Sequence, residues 1–152
     1  MSNDQRNNLK ELHILLVEDD PDHAELAMHC LRGFDERMAL FHVIDGVDAL
    51  DFLHNRGKYT NAEEYPRPHF ILLDLRIPLI DGLEVLAEIK NTETLKRIPV
   101  VILTTSEAEN DARQAYDLYA NSYIVKPGGY HELKRILTEV CTYWLKLNRR
   151  LW

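Results

Sequence analysis

The sequence predicts an α/β fold: a five-stranded, doubly wound parallel sheet with helices on both faces. Apolar runs alternate with segments of helical periodicity five times, without repeats or low-complexity linkers. The run Phe70–Leu73 is apolar throughout, which is typical of a strand buried on both faces of a parallel sheet. Because strand–helix–strand connections have one preferred handedness, a doubly wound sheet is the simplest assembly of such a repeat.

The predicted strands are short and mostly apolar. The second of them alternates apolar and polar residues more than the others do, which favours a position at the edge of the sheet. The five ranges are Leu12–Val17, Met38–Val43, Phe70–Asp74, Pro99–Leu103 and Ser122–Val125.

Capping signals mark the starts of the first four predicted helices. The predicted N-caps are Asp20, Asp45, Asp81 and Ser106. Pro21 suits the first helical position, and Glu84 and Glu109 complete two capping boxes. The last helix is predicted from about Tyr130 to Leu147, where apolar residues recur at helical spacing. That helix is longer than the sheet requires.

Composition excludes several classes of protein. The chain has 152 residues, enough for one domain, and a net charge of −7 that argues against broad DNA binding, because phosphate contacts require clustered Lys and Arg. We expect no membrane attachment and a cytoplasmic location, since no apolar run could span a bilayer and the polar N-terminus is unlike a signal peptide. Cys30 and Cys141 are predicted to be reduced core residues, and the histidines lack zinc-site spacing.

We expect three segments along the chain. They are a polar N-terminal extension, 1–11, a single domain, 12–147, and a C-terminal tail, 148–152. The domain contains a loop, 54–69, that is longer than an ordinary connection. From Lys134 onward the chain carries five basic residues and one acid, which indicates either a solvated helix face or a surface for a partner. The basic residues are Lys134, Arg135, Lys146, Arg149 and Arg150.

Charged or reactive side chains follow four of the predicted strands. In parallel sheets the carboxyl ends of neighbouring strands meet at one edge, where ligands bind, so we expect these side chains to converge. A buried charge such as Asp74 needs a partner or a function. Asp20, beside them, is expected to act only as a helix cap. The converging set is Glu18 and Asp19 after the first strand, Asp74 at the third, Thr104 at the fourth and Lys126 at the fifth.

The converging set predicts phosphoryl chemistry. Clustered carboxylates repel one another unless a cation lies among them, and oxygen ligands without thiolate or imidazole suit Mg²⁺, with Mn²⁺ as a substitute. Asp74 would be the nucleophile, while Thr104 and Lys126 would hold phosphoryl oxygens. Each residue alone has an ordinary explanation, as a loop acid, a strand end or a surface lysine. Their joint occurrence at successive strand ends favours a functional site.

These residues lie in segments that resemble the receiver domain of two-component response regulators. The resemblance covers nearly the whole chain, from about Leu12 to Val140, and its acidic pair, DxxxP, Thr and KP motifs follow the order typical of that family. It implies the flavodoxin-like receiver fold with an extended C-terminal helix. The matching segments are Ile14–Pro21, Leu72–Pro78 with Asp81–Gly82, Pro99–Thr105 and Tyr123–Pro127.

The resemblance implies that Asp74 is the phosphoacceptor. Glu18 and Asp19 would form the acidic pair of a Mg²⁺ site completed by Asp74 and the backbone carbonyl of Arg76. The protein would then be a regulator with self-catalysed phosphoryl transfer and dephosphorylation, and not a metabolic enzyme.

The resemblance also implies a conformational switch. Thr104 would move toward the phosphoryl group, and Tyr123 would swing inward with it. Lys126 would pair with the phosphoryl group, and its bond to Pro127 would be cis. Two positions depart from the family pattern: Thr105 is larger than usual, and Arg76 places a bulky cation beside the acceptor.

Three other functions fit the sequence less well. A hydrolase of the haloacid dehalogenase type needs an acid two residues after its nucleophile, where this chain has Arg76. A flavin-binding module needs a phosphate-binding loop after the first strand, where Glu18–Asp20 would repel a phosphate. A degenerate receiver that serves only as a binding scaffold is disfavoured by the complete set of site residues.

We therefore expect a stand-alone regulator that receives a phosphoryl group from a sensor histidine kinase and signals through protein–protein contact. The 54–69 loop and the C-terminal extension resemble the single-domain regulators of bacterial and cyanobacterial phytochrome kinases. A homodimer is expected through the fourth helix, the fifth strand and the extended fifth helix with Trp144. Neither the kinase nor the downstream protein is identified by the sequence.

Overall fold

The computed structural model describes residues 11–150, so most of the predicted N-terminal extension and the last two residues of the tail lie outside the described residues. Five parallel strands form one sheet in the order β2-β1-β3-β4-β5. The sheet is doubly wound as predicted, and the second strand is at an edge. The strands are β1 Leu12–Val17, β2 Met38–Val43, β3 Phe70–Leu73, β4 Val100–Thr104 and β5 Ser122–Val125.

Five helices alternate with the strands. They are α1 Pro21–Arg32, α2 Gly46–His54, α3 Gly82–Asn91, α4 Glu109–Asp117 and α5 Tyr130–Cys141. Three of the four predicted N-caps are confirmed: the carboxylates of Asp20, Asp45 and Asp81 accept hydrogen bonds from backbone amides in the first turns of α1, α2 and α3.

The predicted cap of the fourth helix is wrong. The N-cap of α4 is Ala108, and no side chain caps it. The Ser106 hydroxyl instead donates to the Asp111 carboxylate at 2.5 Å and accepts from the Ala108 amide at 3.3 Å. The hydroxyl oxygen thus accepts from the amide of Ala108, before the helix, and α4 begins two residues later than the capping-box pattern predicts.

Alternating residues of each central strand enter two separate cores. In β1, Leu15 and Val17 face the core formed with α2, α3 and α4, while Ile14 and Leu16 face the core formed with α1 and α5. The Phe70–Leu73 run divides in the same way. This division explains why the central strands are apolar throughout.

The 54–69 loop packs against α2. It contains a 3₁₀ turn, Gly57–Tyr59, and the rings of Tyr59 and Tyr65 lie 4.9 Å apart, next to Phe52 of α2. Asn55 takes a left-handed conformation with φ of 52°, and its side-chain amide donates to the carbonyls of Tyr59 and Tyr65. The long loop is therefore an ordered extension of one core.

The last helix ends differently from the prediction. After Cys141 the chain continues as a π-helical segment, Thr142–Leu147, and not as α-helix. The wider turn buries Leu145 in the core and leaves Leu147 72% exposed. Trp144 packs against the same core, so this part of the C-terminal extension folds onto its own domain.

Both cysteines are free thiols, as predicted. Cys141 is buried, and burial raises the pKa of its thiol to about 12, which keeps it protonated and unreactive. Between residues 11 and 150, none of the helices has the length and apolarity needed to cross a bilayer.

Candidate functional site

The three predicted acids meet at the carboxyl edge of the sheet. Val17 pairs with Leu73 at the ends of β1 and β3, so the residues that follow both strands are neighbours. Glu18 is 3% exposed and Asp74 is 8% exposed, while Asp19 is exposed. One carboxylate oxygen from each residue lies within 4.8 Å of those of the other two. The predicted convergence of these three residues is confirmed.

Lys126 supplies the positive charge for this cluster. Its ammonium lies 2.7 Å from Glu18 Oε2 and 3.0 Å from Asp74 Oδ2, and its side chain is 6% exposed. The Lys126 backbone amide donates to the Thr104 carbonyl at 2.7 Å, which extends the β4–β5 pairing by one residue. The β4–β5 pairing therefore positions the Lys126 ammonium next to the acids.

The pKa values of the two buried carboxyls are shifted in opposite directions. Burial, reinforced by the neighbouring Asp74, raises the pKa of Glu18 to about 7 against the opposing effect of Lys126. Burial acts in the same direction on Asp74, but its hydrogen bonds with Glu18 and Lys126 and the charge of Lys126 together lower its pKa. Asp74 is thus the more acidic member of the pair.

His23 is a neighbour that the sequence did not predict. Its Nδ1 lies 3.2 Å from the Lys126 ammonium, and it is placed there by the first turn of α1, where its backbone amide donates to the Asp20 carboxylate. Asp20 itself acts as the predicted cap, and its amide donates to Glu18 Oε1 at 3.1 Å. The helix cap therefore also orients Glu18.

The residues that the cluster offers fit a hard divalent cation. The three acids present oxygen atoms only, and Mg²⁺ and Mn²⁺ prefer such ligands. The Arg76 amide donates to Asp74 Oδ1 at 3.3 Å, so the Arg76 backbone lies beside the Asp74 carboxylate.

Two glycines hold the surrounding loops close together. A Cβ atom at Gly82 would overlap the carbonyl oxygen of Asp74, and one at Gly46 would overlap the carbonyl of Ile80. Gly82 also donates its amide to Leu75 at 2.9 Å. The start of α3 can therefore approach the backbone of Asp74 directly.

The two predicted switch residues lie next to the cluster and not within it. Thr104 is fully buried at the end of β4, where its hydroxyl accepts from the Ser106 amide at 3.3 Å. Tyr123 is half-buried on β5, and its hydroxyl donates to the Ser106 carbonyl at 3.1 Å. Both residues thus contact the same loop between β4 and α4.

Arg76 turns its guanidinium away from Asp74. Nη2 lies 2.8 Å from Asp111 Oδ2, in the first turn of α4, and Ser106 donates to the same carboxylate oxygen. The side chain of Arg76 is 67% exposed, so it leaves the approach to Asp74 open. No sequence pattern pointed to Asp111 as its partner.

One expectation about the backbone is wrong. The Lys126–Pro127 bond is trans, and no cis peptide bond occurs in residues 11–150. The trans isomer of an X–Pro bond is favoured by about 0.5–1 kcal/mol when nothing else selects between the two. Lys126 reaches both carboxylates from the trans form.

Comparisons with known proteins agree with this geometry. Residues 14–138 match the family model described as the response regulator receiver domain. The probable methanogenesis regulatory protein FilR2 of Methanothrix harundinacea is 45% identical over 140 residues, which cover 90% of this chain and 85% of FilR2. The response regulator Rcp1 of Synechocystis sp. is 42% identical over 133 residues, which cover 88% of each chain.

Solved structures extend the likeness to three dimensions. The phosphorylated cyanobacterial phytochrome response regulator RcpA superposes with a TM-score of 0.87 at 41% identity, covering 91% of this chain and 97% of RcpA. The Mn²⁺-bound form of Rcp1 superposes with a TM-score of 0.82 at 41% identity and the same coverage. With its sequence, its sheet order and its strand-end residues in agreement, this chain belongs to the response regulator receiver domain family.

Proposed function

We propose that Asp74 is the phosphoacceptor of this receiver domain and that a sensor histidine kinase is its phosphodonor. The observation that carries the proposal is the position of Asp74, whose carboxylate is nearly buried and is held by the ammonium of Lys126 at 3.0 Å, which lowers its pKa. A purely structural aspartate at a strand end would not need three further charged groups around it. The domain would act as a stand-alone regulator.

In the transfer step, a carboxylate oxygen of Asp74 attacks the phosphorus of a phosphohistidine. The new O–P bond forms as the P–N bond breaks, and the electron pair of that bond stays on the departing imidazole. The product is an acyl phosphate on Asp74. Lys126 lies where its ammonium can pair with an oxygen of the transferred group, and Thr104 can hold another after a movement of the β4–α4 loop.

Glu18, Asp19, Asp74 and the Arg76 carbonyl are the groups that would hold Mg²⁺. When bound, the cation would offset the charge of the acids and of the phosphoryl oxygens. The Mn²⁺-bound form of Rcp1 supports this assignment. Thr105 is exposed and lines a cavity of about 190 Å³ together with Glu18 and Lys126.

The switch would act through the β4–α4 loop. Ser106 accepts the hydroxyl hydrogen of Tyr123 through its carbonyl and donates its amide to Thr104, so a movement of Thr104 toward a phosphoryl group changes both bonds. The phosphate would thereby shift the population between two arrangements of α4 and β5.

The output surface would be the face formed by α4, β5 and α5, where two copies of the chain would pair. Exposed apolar side chains on this face support a dimer: Tyr116 is 51% exposed, Tyr119 77% and Val125 36%. Trp144 takes a smaller part than expected because it packs onto its own domain, whereas Tyr143 and Leu147 remain exposed.

A phytochrome-type kinase is the proposed donor. The likeness to RcpA, which is described as a phytochrome response regulator, supports this assignment. The similar likeness to FilR2, whose name refers to methanogenesis, favours a second candidate in which the kinase senses a metabolic signal. Phosphotransfer rates from purified kinases of both kinds would separate the two candidates.

Incubation with acetyl phosphate and Mg²⁺ tests the central proposal. On a phosphate-affinity gel, the wild type and an Asp117→Asn control on the exposed side of α4 should each gain one shifted band. That band should be stable in acid and labile in base, and Asp74→Asn should lack it. Absence of the band from the wild type would leave a scaffold function as the better explanation.

Sedimentation tests the dimer separately. The phosphorylated wild type should sediment as a dimer, while Tyr119→Ser should remain largely monomeric under the same conditions. A wild type that stays monomeric at high concentration, with and without phosphorylation, would rule the dimer out without affecting the assignment of Asp74.

A further inference from the structure

A second concentration of charge lies at the amino edge of the sheet, opposite the acid cluster. It surrounds a cavity of about 320 Å³ beneath the starts of β3 and β4. Among residues 11–150, no acidic side chain lines this cavity. Five cationic side chains line it: Lys90, Lys96, Arg97, Arg149 and Arg150.

This arrangement is unexpected in an acidic chain. The protein has 25 acids against 18 Lys and Arg residues, yet the cations here have little local compensation. Within residues 11–150, the one salt bridge that involves a cation of this cavity joins Lys96 to the exposed Glu93, at 2.7 Å. Like charges that share a small space repel one another, so an anion between them would stabilise the arrangement.

Lys90 is fixed by neutral partners. Its ammonium donates to the carbonyls of Lys96 at 3.1 Å and Ile98 at 2.9 Å and to the side-chain oxygen of Asn121 at 3.0 Å. These bonds satisfy all three of its donors, but they leave the positive charge without a carboxylate. Burial accordingly lowers the pKa of Lys90 to about 8. A rigid, uncompensated cation thus forms part of the cavity wall.

The C-terminal segment completes the cavity. Arg150 donates from Nη1 to the Leu145 carbonyl, which holds the segment against the end of the last helix. The Nε atom of Arg150 is buried and has no hydrogen-bond partner among residues 11–150. A buried donor without an acceptor is destabilising, and a ligand oxygen here would satisfy it.

We propose that this amino-edge cavity binds a small polyanion that carries two or more phosphate or carboxylate charges. The volume is at the lower end of ligand pockets, which suits a compact anion better than a nucleotide chain. Arginine guanidinium groups bind both kinds of oxyanion through paired hydrogen bonds. The proposal goes beyond phosphorylation at Asp74 and does not depend on it.

Isothermal titration with pyrophosphate and with citrate tests the proposal, each at about 150 mM NaCl, the ionic strength at which exposed charges are screened beyond roughly 8 Å. Protein and buffers are first passed over a chelating resin, so that neither anion can bind through a cation at the acid cluster. We expect saturable binding of at least one anion with the wild type and with Asp74→Asn. The tighter of the two identifies the oxyanion class that the cavity prefers.

Arg97→Gln and Arg149→Gln should each weaken that binding about tenfold, as expected for the loss of one charge-assisted contact. Both side chains are exposed, so the variants should fold, which a thermal melt verifies. Arg113→Gln, an exposed position on α4, is the matched control and should bind like the wild type. The proposal is overturned if neither anion saturates, or if the two cavity variants bind as the control does.

Discussion

Two lysine ammonium groups lie beneath the surface at opposite edges of the same sheet, and their partners differ in charge. Lys126, at the carboxyl edge, is bonded to Glu18 and Asp74. Lys90, at the amino edge, is bonded only to neutral oxygens. Both satisfy their hydrogen bonds, but only Lys126 is neutralised. The comparison shows that hydrogen-bond satisfaction and charge compensation are separate properties. The acids make the carboxyl edge suited to a cation, and the cations make the amino edge suited to an anion.

The largest effect is expected from removing the charge at the carboxyl edge. Lys126→Met leaves two buried carboxyls without a cation, a change that typically destabilises by about 3–5 kcal/mol. We expect about 3 kcal/mol, because Glu18 can take up a proton, and we expect MgCl₂ to restore part of the loss. Urea unfolding with and without MgCl₂ measures both. Lys134→Met, on the exposed face of α5, is the control and should change little; equal stability of the two variants would contradict the expectation.

A smaller effect is expected at the amino edge. Lys90→Met removes the donor for two carbonyls and for Asn121, so the free energy of unfolding should fall by about 1–3 kcal/mol. Lys96→Met removes only a surface ion pair and should cost less than about 1 kcal/mol. Urea midpoints at pH 7 compare the two variants. If Lys96→Met proves the more damaging, Lys90 is not the group that holds this edge together.

The smallest effect, taken over one pH unit, is a difference in pH dependence between the edges. The folded-state pKa of Glu18 is raised from 4.5 to about 7, so its contribution is complete below pH 4.5 and is lost as the pH rises through 7. The folded-state pKa of Lys90 is lowered from 10.5 to about 8, so its contribution is present above pH 10.5 and is lost as the pH falls through 8. Each slope is at most about 1.4 kcal/mol per pH unit.

The free energy of unfolding is measured in EDTA for the wild type, Glu18→Gln and Lys90→Met. Subtracting the value of each variant from that of the wild type isolates the titration of the replaced residue. The first difference should decrease between pH 4.5 and 7, and the second should increase between pH 8 and 10.5. Slopes of the same sign would show that the two edges do not differ in the way the structure indicates.

The carboxyl edge was largely predictable from the sequence. Buried parallel strands are continuous apolar runs, so their ends are easily located, and the pairing of Val17 with Leu73 then places Glu18 beside Asp74. Caps such as Asp20 are local features that a few residues determine. The site residues that follow strands were therefore found without any knowledge of helix packing.

Features that depend on packing between distant elements were missed or wrong. His23 reaches Lys126, and Asp111 reaches Arg76, only because α1 and α4 lie at particular positions over the sheet. Ser106 is not the cap because α4 begins only at Glu109, two residues later than the capping box predicts. The cavity at the amino edge was not predicted for the same reason: Lys90 and Arg149 are far apart in sequence, and neither belongs to a motif.

The π-helical turn at Thr142–Leu147 has a consequence for how the two edges can evolve. Hydrogen bonds in a π-helix span five residues, against four in an α-helix, so deleting one residue from this segment would rotate the chain that follows it. Arg149 and Arg150 would then leave the amino-edge cavity, while α5 and the sheet would be unchanged. Relatives could gain or lose that charge through a single insertion or deletion, whereas the acids and Lys126 are anchored to three separate strands and must be inherited together.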